Sequence, residues 1–386
     1  MKTVALGEVL RPSRVRGTYE GKTGEQLISV RLNGRGATAR KVGDGKTPKP
    51  FVGYKASAGQ FVFSRIWARR GAMAVIPPEL DGVVVTNEFP LFDFDATRLC
   101  PEYFLRLIQS PLFLRRIEGL SAGASGQNRV NERKFLGLRV EIPSLEEQRR
   151  IAAILDQADA LRAKRRQVLA DLDSLTQSVF QEMFGNFSSA QEARRLTQIG
   201  QLALETQYGT AAKATGQGEL PILRMGNITD QGRIDPADLK YIDLAPTELT
   251  KYTAAPGDLL FNRTNSLDKV GKSAVVRGSN AWAFAGYLVR VRFPTPAWAE
   301  YVAGYLRSAD GIRFRRAAAK VAVNQANINA QEMLRIPIPV ATGEQVEKHA
   351  AILGSIEEQR LQALARAQTA DELFASLQSR AFRGEL

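Results

Sequence analysis

The sequence predicts a mixed α/β (α+β) protein with two related globular parts in tandem, separated by two long antiparallel coiled-coil spacer helices. Three observations predict this fold class. The chain repeats itself in order, each copy ends in a long amphipathic pattern that begins at a helix cap, and short β-rich runs fill the rest. At 386 residues, with 44% hydrophobic and 24% charged residues, the chain can form more than one folded core.

The internal repeat covers most of the chain at an offset of 198 residues. The pairs at that offset include Tyr103 and Tyr301, Ser110 and Ser308, Gln127 and Gln325, Asn131 and Asn329, and Leu155 and Leu353. The run Gly59–Arg65 corresponds in the same way to Gly257–Arg263. Each half therefore consists of a variable globular part followed by a better matched helical part.

The globular parts are predicted to combine short strands with a late helix. The predicted strands are Gln60–Phe63, Met73–Ile76, Val83–Val85, Leu259–Phe261, Ser273–Val276 and Tyr287–Phe293. A helix is predicted near the end of each part, over Pro101–Glu118 and over Ala299–Ala319. The polar stretch Asn186–Arg194 is predicted to be the hinge before the second part.

The first long helix begins at a capping box, because Ser144 and Glu147 have the S-x-x-E spacing. Its apolar residues alternate in three-four spacing, with Arg165 at one position of the seam: Ile151, Ile154, Ala158, Leu161, Val168, Leu172, Leu175 and Val179. Phe184-Gly185 supplies the stop. The predicted helix has about 40 residues and a length on the order of 60 Å.

The second long helix repeats these features, with Thr342 and Gln345 as the T-x-x-Q form of the cap. Its stripe consists of Ile352, Ile356, Ala363, Ala370, Leu373 and Leu377. Two such stripes in one chain can bury each other, so we expect an antiparallel pair. The predicted domains are a first globular part at 1–143, a central helix at 144–185, a second globular part at 186–340 and a C-terminal helix at 341–386.

The charge of the chain favours a polyanionic partner. The formal net charge is +13 and the pI is near 9.9. Neutralising phosphates releases condensed counterions, so an excess of this size suits binding to nucleic acid. The alternative is a protein that is basic without having such a partner.

Rare residues exclude several classes of site. Cys100 is the only cysteine and His349 the only histidine, which excludes intrachain disulfides, thiolate metal clusters, most zinc sites and a Ser-His-Asp triad. The first eight residues lack an apolar signal core, and no stretch approaches the length of a membrane span. We therefore expect a cytoplasmic protein with no membrane partner.

Known catalytic motifs are missing from the sequence. Gly-Lys-Ser/Thr tripeptides begin at Gly21, Gly45 and Gly271, but each lacks the earlier glycine of a phosphate-binding loop. Glu132-Arg-Lys134 resembles the end of a nuclease site, but the second half does not repeat it. The sequence predicts no catalytic residue, no metal site and no cofactor for this chain.

Basic, amide and tyrosine side chains are the candidates for DNA contacts, because Arg and Lys bind phosphates and guanine while Asn and Gln bind adenine. The candidates in the first globular part are Arg31, Lys46, Lys49, Arg65, Arg69 and Arg70. Those in the second are Tyr208, Lys213, Arg224, Asn227, Arg263, Asn265, Lys269 and Lys272. Positions that differ between the two parts are the better candidates for base recognition. The alternative for each is a solvated surface residue.

Two amide-rich loops, Gln127–Asn131 and Asn324–Asn329, also recur. A residue repeated in both parts cannot distinguish two DNA sequences. We therefore favour helix caps as the role of Asn131 and Asn329.

The order of these motifs resembles the specificity subunits of type I restriction-modification systems. The resemblance rests on a variable domain, then Ile142–Gln148 (IPSLEEQ), then a long helix ending in Phe-Gly, and then the same pattern again from Ile338 to Gln345 with one extra residue. Phe261-Asn-Arg263 and Val270-Gly-Lys272 are similar to the target-recognition domains of that family. The stretch Ser64–Met73 of the first part departs from the Lys-x-Gly-Lys form of the second.

The resemblance implies that each globular part is a target-recognition domain reading one half of an asymmetric, bipartite site in double-stranded DNA. The helices would set the number of unread base pairs and dock two methyltransferase subunits, which carry S-adenosylmethionine and methylate adenine. A restriction and translocation subunit could join them, and this chain would be non-catalytic and hold no cofactor. The candidate docking residues are Gln148, Ile151, Ile154, Leu161, Leu172, Gln345, Ile352, Ile356 and Leu373.

Two alternatives remain open at this point. One is a free-standing, two-headed DNA-binding regulator, and the other is the recognition part of a fused nuclease-methyltransferase. The missing catalytic motifs disfavour the fused protein. Co-purification with a methyltransferase subunit separates the regulator from the specificity subunit.

Overall fold

The computed structural model describes residues 2–40, 48–121, 129–185, 196–323 and 325–386. The predicted hinge at 186–194 lies outside these residues. Among the helices within them, none is long and apolar enough to cross a membrane.

The chain divides into two compact units. The first comprises Met1–Arg165 and Arg366–Leu386, and the second comprises Arg166–Ala365. The boundary falls inside both long helices, α4 (Leu145–Phe184) and α10 (Gly343–Ala381). Each unit therefore contains part of both helices.

The first unit is built around an antiparallel sheet with the strand order β2-β10-β7-β8. Its described strands are β1 (Lys2–Ala5), β2 (Leu10–Ser13), β3 (Arg16–Tyr19), β4 (Ile28–Val30), β5 (Ala37–Ala39), β6 (Phe51–Lys55), β7 (Phe61–Phe63), β8 (Met73–Val75), β9 (Val84–Val85), β10 (Leu91–Phe94) and β11 (Arg139–Ile142). The helices before α4 are α1 (Pro101–Ile108), α2 (Pro111–Glu118) and α3 (Glu132–Leu136). Smaller sheets pair β1 with β11, β4 with β5, and β6 with both β3 and β9.

Both faces of the β7 strand are buried, which explains its continuous apolar sequence. Phe61 and Phe63 point to the larger core, where the Phe63 ring lies 4.6 Å from that of Phe135. Val62 points to a second cluster on the other face. Phe61 lies opposite Phe92 in the antiparallel register, so neighbouring strands add aromatic rings to the same core.

The second unit repeats this sheet order as β13-β21-β17-β19. Its described strands are β12 (Leu196–Gln198), β13 (Glu205–Tyr208), β14 (Leu220–Leu223), β15 (Lys240–Ile242), β16 (Thr253–Ala254), β17 (Leu259–Asn262), β18 (Thr264–Asn265), β19 (Ser273–Val275), β20 (Trp282–Phe284), β21 (Leu288–Arg292), β22 (Lys320–Ala322), β23 (Gln325–Asn327) and β24 (Pro337–Pro339). Its helices besides the long pair are α5 (Ile199–Leu202), α6 (Pro246–Tyr252), α7 (Pro296–Arg307), α8 (Ala309–Ala318) and α9 (Ala330–Leu334). The other sheets are β15-β14-β20-β16, with β14 parallel to β20, β18-β23-β22 and β12-β24.

The predicted strands are confirmed, and none of their bounds differs from the observed bound by more than one residue. The predicted single helices Pro101–Glu118 and Ala299–Ala319 were wrong, because each is two helices. The break falls at Ser110 in the first unit and at Ser308 in the second. Each hydroxyl accepts a hydrogen bond from a backbone N–H three residues on, at 3.2 and 3.1 Å, and so caps a new helix.

The two long helices run antiparallel in the second unit. Asp173 of α4 lies 3.5 Å from Arg360 of α10. Further along α4, the Phe180 ring packs edge-on against His349, which lies nearer the start of α10, with 5.7 Å between centroids. A mixed α/β fold with two long antiparallel helices is therefore confirmed.

The seam of α10 differs from the predicted one. Its buried residues are Val346, His349, Leu353, Ile356, Ala363, Ala367, Ala370, Phe374, Gln378 and Ala381. The prediction was wrong for Leu373, which is 49% exposed. On α4 it was wrong for Leu161, Val168 and Leu175, which are 40%, 42% and 43% exposed. Phe374 occupies the seam beside Leu373, with the Arg162 guanidinium 4.3 Å from its ring centroid. The predicted Ile356, Ala363 and Ala370 are buried, and Phe374 is buried in place of the predicted Leu373.

Candidate nucleic-acid interface

Arg65 and Arg263 occupy equivalent backbone positions in the two units. Arg65 follows β7 closely and Arg263 follows β17 directly, at the offset of the sequence repeat. The carbonyl of Arg65 accepts a hydrogen bond from the N–H of Val130, and that of Arg263 accepts one from Ile328, both at 2.8 Å. The repeat therefore places two arginine side chains at matching positions, each on a fixed backbone.

The Arg65 side chain is held by an acidic residue. Its Nη2 lies 2.9 Å from Glu132, which also pairs with Arg14. Among the described residues, the buried Nε of Arg65 has no hydrogen-bond partner. The Glu132 carboxylate, which in the sequence resembled part of a nuclease site, therefore positions two guanidiniums.

The Arg263 side chain is held by an aromatic ring instead. Its guanidinium lies 4.9 Å from the ring centroid of Tyr208, and Nη2 reaches the Asn327 amide oxygen at 3.4 Å. The Tyr208 hydroxyl accepts a hydrogen bond from the Ala330 N–H at 2.9 Å, which fixes the ring. Within the described part of the second unit, the buried Nε of Arg263 also has no partner.

Two other candidates of the first unit, Arg31 and Lys49, are exposed. Arg31 donates from Nε to the Thr38 hydroxyl at 3.2 Å. Lys49 lies on the surface just before β6. Lys46 lies outside the described residues.

The loop Ser64–Ala72 between β7 and β8 carries two further candidates. Arg70 is exposed and Arg69 is partly exposed. The Arg70 guanidinium lies 5.3 Å from the ring centroid of Trp67, which is 47% exposed. Sequence reasoning missed Trp67, because a single aromatic residue in a loop gives no periodic signal.

Three candidates of the second unit lie at its surface. Lys213 and Lys269 are exposed. Asn265 is partly exposed, and its amide oxygen accepts a hydrogen bond from the Ser266 N–H at 2.9 Å. Its amide nitrogen has no protein partner among the bonds of the described residues.

Three other candidates are engaged in contacts within their own unit. Asn227 is only 3% exposed and donates to the Asp238 carbonyl at 3.2 Å. Arg224 pairs with the Asp238 carboxylate at 2.8 Å. Lys272 pairs with Asp230 and lowers the pKa of that carboxyl below its ordinary value. These contacts stabilise the loops that surround Arg263, and we leave the three residues out of the proposed DNA contacts.

The repeated asparagines are helix caps, as predicted. The Asn131 side chain accepts hydrogen bonds from the N–H groups of Arg133 and Lys134, at 2.9 and 3.2 Å. The Asn329 side chain accepts one from the Glu332 N–H at 2.9 Å. The described parts of the amide-rich loops therefore support α3 and α9.

Some of the candidate docking residues are buried inside the chain. Gln148 is fully buried, where it accepts from the Cys100 N–H at 2.8 Å and donates to the Arg98 carbonyl at 2.9 Å. Ile151 and Ile356 are also buried. These three residues join α4 and α10 to their own units and leave no surface for a partner.

Other docking candidates face outward. Leu161 and Leu373 are exposed, and Gln345 is exposed while it caps α10 through Thr342. Ile154, Leu172 and Ile352 are partly buried. Val168 and Leu175 follow Leu161 at heptad spacing and are 42% and 43% exposed. The long helix α4 therefore carries an exposed apolar stripe.

Comparisons with known proteins identify the same family as the sequence motifs. A family model described as type I restriction modification DNA specificity domain matches residues 95–171. The type I restriction enzyme EcoKI specificity subunit of Escherichia coli (strain K12) is 27% identical over 307 residues, which cover 74% of this chain and 65% of that protein. The type I restriction enzyme StySPI specificity subunit of Salmonella potsdam is 28% identical over 310 residues, which cover 75% and 66%.

A solved structure has the same fold. It is a chain from work on the complex assembly and conformational transition of the type I R-M system, with a TM-score of 0.59 and 17% identity. The match covers 100% of this chain and 98% of that chain. The chain spans about two thirds of the length of the curated relatives it matches. The chain is therefore similar in sequence to type I restriction-modification specificity subunits and shares its fold with a solved chain of a type I R-M system.

Proposed function

We propose that this chain is the DNA-sequence-specificity subunit of a type I restriction-modification complex. The observation that carries the proposal is the duplicated sheet, which places Arg65 and Arg263 at matching backbone positions with partly exposed side chains. Guanidinium donors of this kind bind phosphates or the guanine edge. The net charge of +13 supports the same partner.

Each unit carries a different set of side chains around its arginine, so the two would read different sequences. Residues 1–143 would form the first target-recognition domain and residues 186–340 the second. The stretches 144–185 and 341–386 would form the spacer that fixes the gap between the two half-sites. The recognised sequence is then asymmetric and bipartite.

The catalytic work belongs to other subunits in this proposal. Two methyltransferase subunits would bind S-adenosylmethionine and methylate adenine, and restriction and translocation subunits could join the complex. The exposed apolar stripe Leu161, Val168 and Leu175 is the part of α4 that would dock a methyltransferase subunit. This chain would act without a cofactor of its own, in the cytoplasm.

Co-expression with a methyltransferase subunit from the same host tests the proposal. The expected result is a stable complex that methylates adenine at a split sequence, detected by mapping methylated adenines in host DNA. A chain that binds DNA but forms no complex with the methyltransferase contradicts the proposal and favours the free-standing regulator. Replacing Leu161 and Val168 together by Glu should weaken the complex, while the same change at exposed Val323 serves as the control.

A further inference from the structure

Trp67 is a large aromatic side chain that the first unit leaves exposed. It is 47% exposed, and its neighbour Ile66 is 43% exposed. The chain's other tryptophans are better covered, since Trp282 is 8% exposed and Trp298 is partly buried. Aromatic residues carry a large gain on burial, so an exposed one beside another apolar residue indicates a contact surface.

The backbone around Trp67 is held in place. The Ser64 N–H donates to the Ala72 carbonyl at 2.9 Å and closes the loop. Ala68, directly after Trp67, is fully buried and donates to the Ser64 carbonyl at 2.8 Å. Gly71 has a φ of +71°, which an L side chain rarely adopts, and it makes the turn back into β8. The exposure of Trp67 thus belongs to an ordered loop.

The surroundings of Trp67 are cationic. The Arg70 guanidinium lies 5.3 Å from the ring centroid. Arg69 and Arg70 line a recess of about 410 Å³ together with Ile66, Trp67 and Glu118. The two guanidiniums can bind phosphates, whereas contact with a phosphate does not stabilise an apolar ring. The ring therefore needs an apolar part of the same ligand, which in DNA is a base.

The second unit repeats the arrangement with different side chains. Leu267 is 40% exposed and stands 200 residues after Trp67, and exposed Lys269 stands at the same offset from Arg69. Gly271 turns the chain with a φ of +78°, in the place of Gly71. Each loop therefore presents an apolar residue, a cation two residues later and a turn glycine two residues after that.

We infer that Trp67 contacts a base of the first half-site while Arg69 and Arg70 bind the neighbouring phosphates, and that Leu267 makes the corresponding base contact in the second half-site. The inference rests on the proposed function and adds to it the residues that provide apolar base contacts. Trp and Leu differ in size and shape, so the two loops would favour different bases. Apolar contacts of this kind discriminate thymine through its methyl group or wedge between base pairs.

Fluorescence measures the contact directly. Tryptophan emission is measured for the methyltransferase complex of the wild-type chain and for that of the Trp67→Phe variant. The difference between the two emissions is the emission of Trp67. The probes are a duplex with the mapped methylation site and a duplex with its first half scrambled. We expect the mapped duplex to reduce acrylamide quenching of Trp67 severalfold, and the scrambled one to have a smaller effect. Equal quenching in the free and DNA-bound complexes would overturn the inference.

Affinity measurements give a second, independent readout. Trp67→Ala should weaken binding to the mapped duplex about tenfold or more and leave binding to the scrambled duplex and the salt dependence unchanged. Arg69→Ala should weaken binding to both duplexes. Val52→Ala is the control, because Val52 is an apolar residue of β6 that is 65% exposed.

The outcomes separate the inference from the proposed function. If Trp67→Ala binds the mapped duplex as tightly as the wild type while the wild type still discriminates the two duplexes, the inference fails and the proposed function stands. If the wild-type complex binds both duplexes equally, the proposed function fails and the inference fails with it. Circular dichroism and thermal unfolding of each variant report whether it is folded.

Discussion

The arginines at equivalent positions of the two units have different neighbours. Glu132 holds the Arg65 guanidinium through an ion pair, whereas Arg263 rests on the Tyr208 ring and reaches an amide. A carboxylate competes with phosphate for a guanidinium, but an aromatic face does not. The same residue type can therefore have a different affinity for DNA in each unit.

The first prediction concerns these two arginines separately. Arg263→Ala should lower affinity for the mapped duplex about tenfold or more and remove sensitivity to scrambling of the second half-site only. Arg65→Ala should do the same for the first half-site. Gel-shift titrations with each half scrambled measure both effects. Arg313→Ala, at an exposed arginine of α8, is the control, and a variant that alters reading of both halves equally would contradict the assignment.

His349, the only histidine, lies in an apolar environment. It is fully buried beside Phe180 and Phe184, with 5.7 and 5.3 Å between ring centroids. In the part of the chain that the structure describes, neither ring nitrogen has a hydrogen-bond partner. Burial, helped by the positive charge of Arg307, lowers the pKa of His349 from 6.5 to about 4.

This burial predicts a loss of stability in mild acid. Below pH 6.5 the unfolded chain takes up a proton that folded His349 takes up only near pH 4. The free energy of unfolding should therefore fall as the pH drops from about 6.5 to about 4, by on the order of 3 kcal/mol. Urea unfolding at several pH values measures the loss. His349→Phe should remove this part of the pH dependence, and an unchanged slope in that variant would show that other groups cause it.

At the scale of single elements, the paired serines illustrate what the sequence can predict. The repeat aligned Ser110 with Ser308, but one helix was predicted across each serine. The structure ends one helix and caps the next at each serine. The strands were easier to predict, because runs such as Phe61–Phe63 are buried on both faces and bounded by turns.

The register of the long helices was the harder feature. Leu373 and Phe374 are adjacent and both apolar, and the sequence does not say which one faces the partner helix. Ala367 completes the observed stripe, but an alanine carries little hydrophobic signal and the predicted stripe left it out. The position of Trp67 at the surface depends on how its loop folds back over buried Ala68, which is a tertiary effect.

A pair of adjacent substitutions tests the observed register. Phe374→Ala removes a ring that is 9% exposed and should lower the free energy of unfolding by about 3–4 kcal/mol. Leu373→Ala removes a side chain that is 49% exposed and should cost less than about 1 kcal/mol. Denaturant unfolding at neutral pH measures both. Similar losses for the two variants would contradict the seam described for α10.

At the scale of the whole molecule, the proposed function implies that the length of the two long helices sets the gap between the half-sites. A helix loses about 10.5 Å when seven residues are removed, which equals about three base pairs of DNA. Removing one heptad from the middle of α4 and the facing heptad of α10 should shorten the gap between half-sites by about three base pairs and leave both half-sites unchanged. Mapping methylated adenines measures the gap.

The control for this deletion removes the heptad from α4 alone. The two helices then no longer match in length, and the variant should be less stable than the double deletion. If the double-deletion variant is folded and active but the gap between the half-sites is unchanged, the helices do not set that gap.

The division of the chain into units also has a consequence for its synthesis. The first unit needs Arg366–Leu386, whose Phe374, Ala381 and Phe382 lie in its core, and the Phe382 ring packs 5.6 Å from that of Tyr103. These residues leave the ribosome after the whole second unit. The unit that begins first is therefore completed last, and its open apolar surface is available to chaperones throughout translation. A chain that ends before residue 366 would contain the whole second unit and a first unit that lacks part of its core.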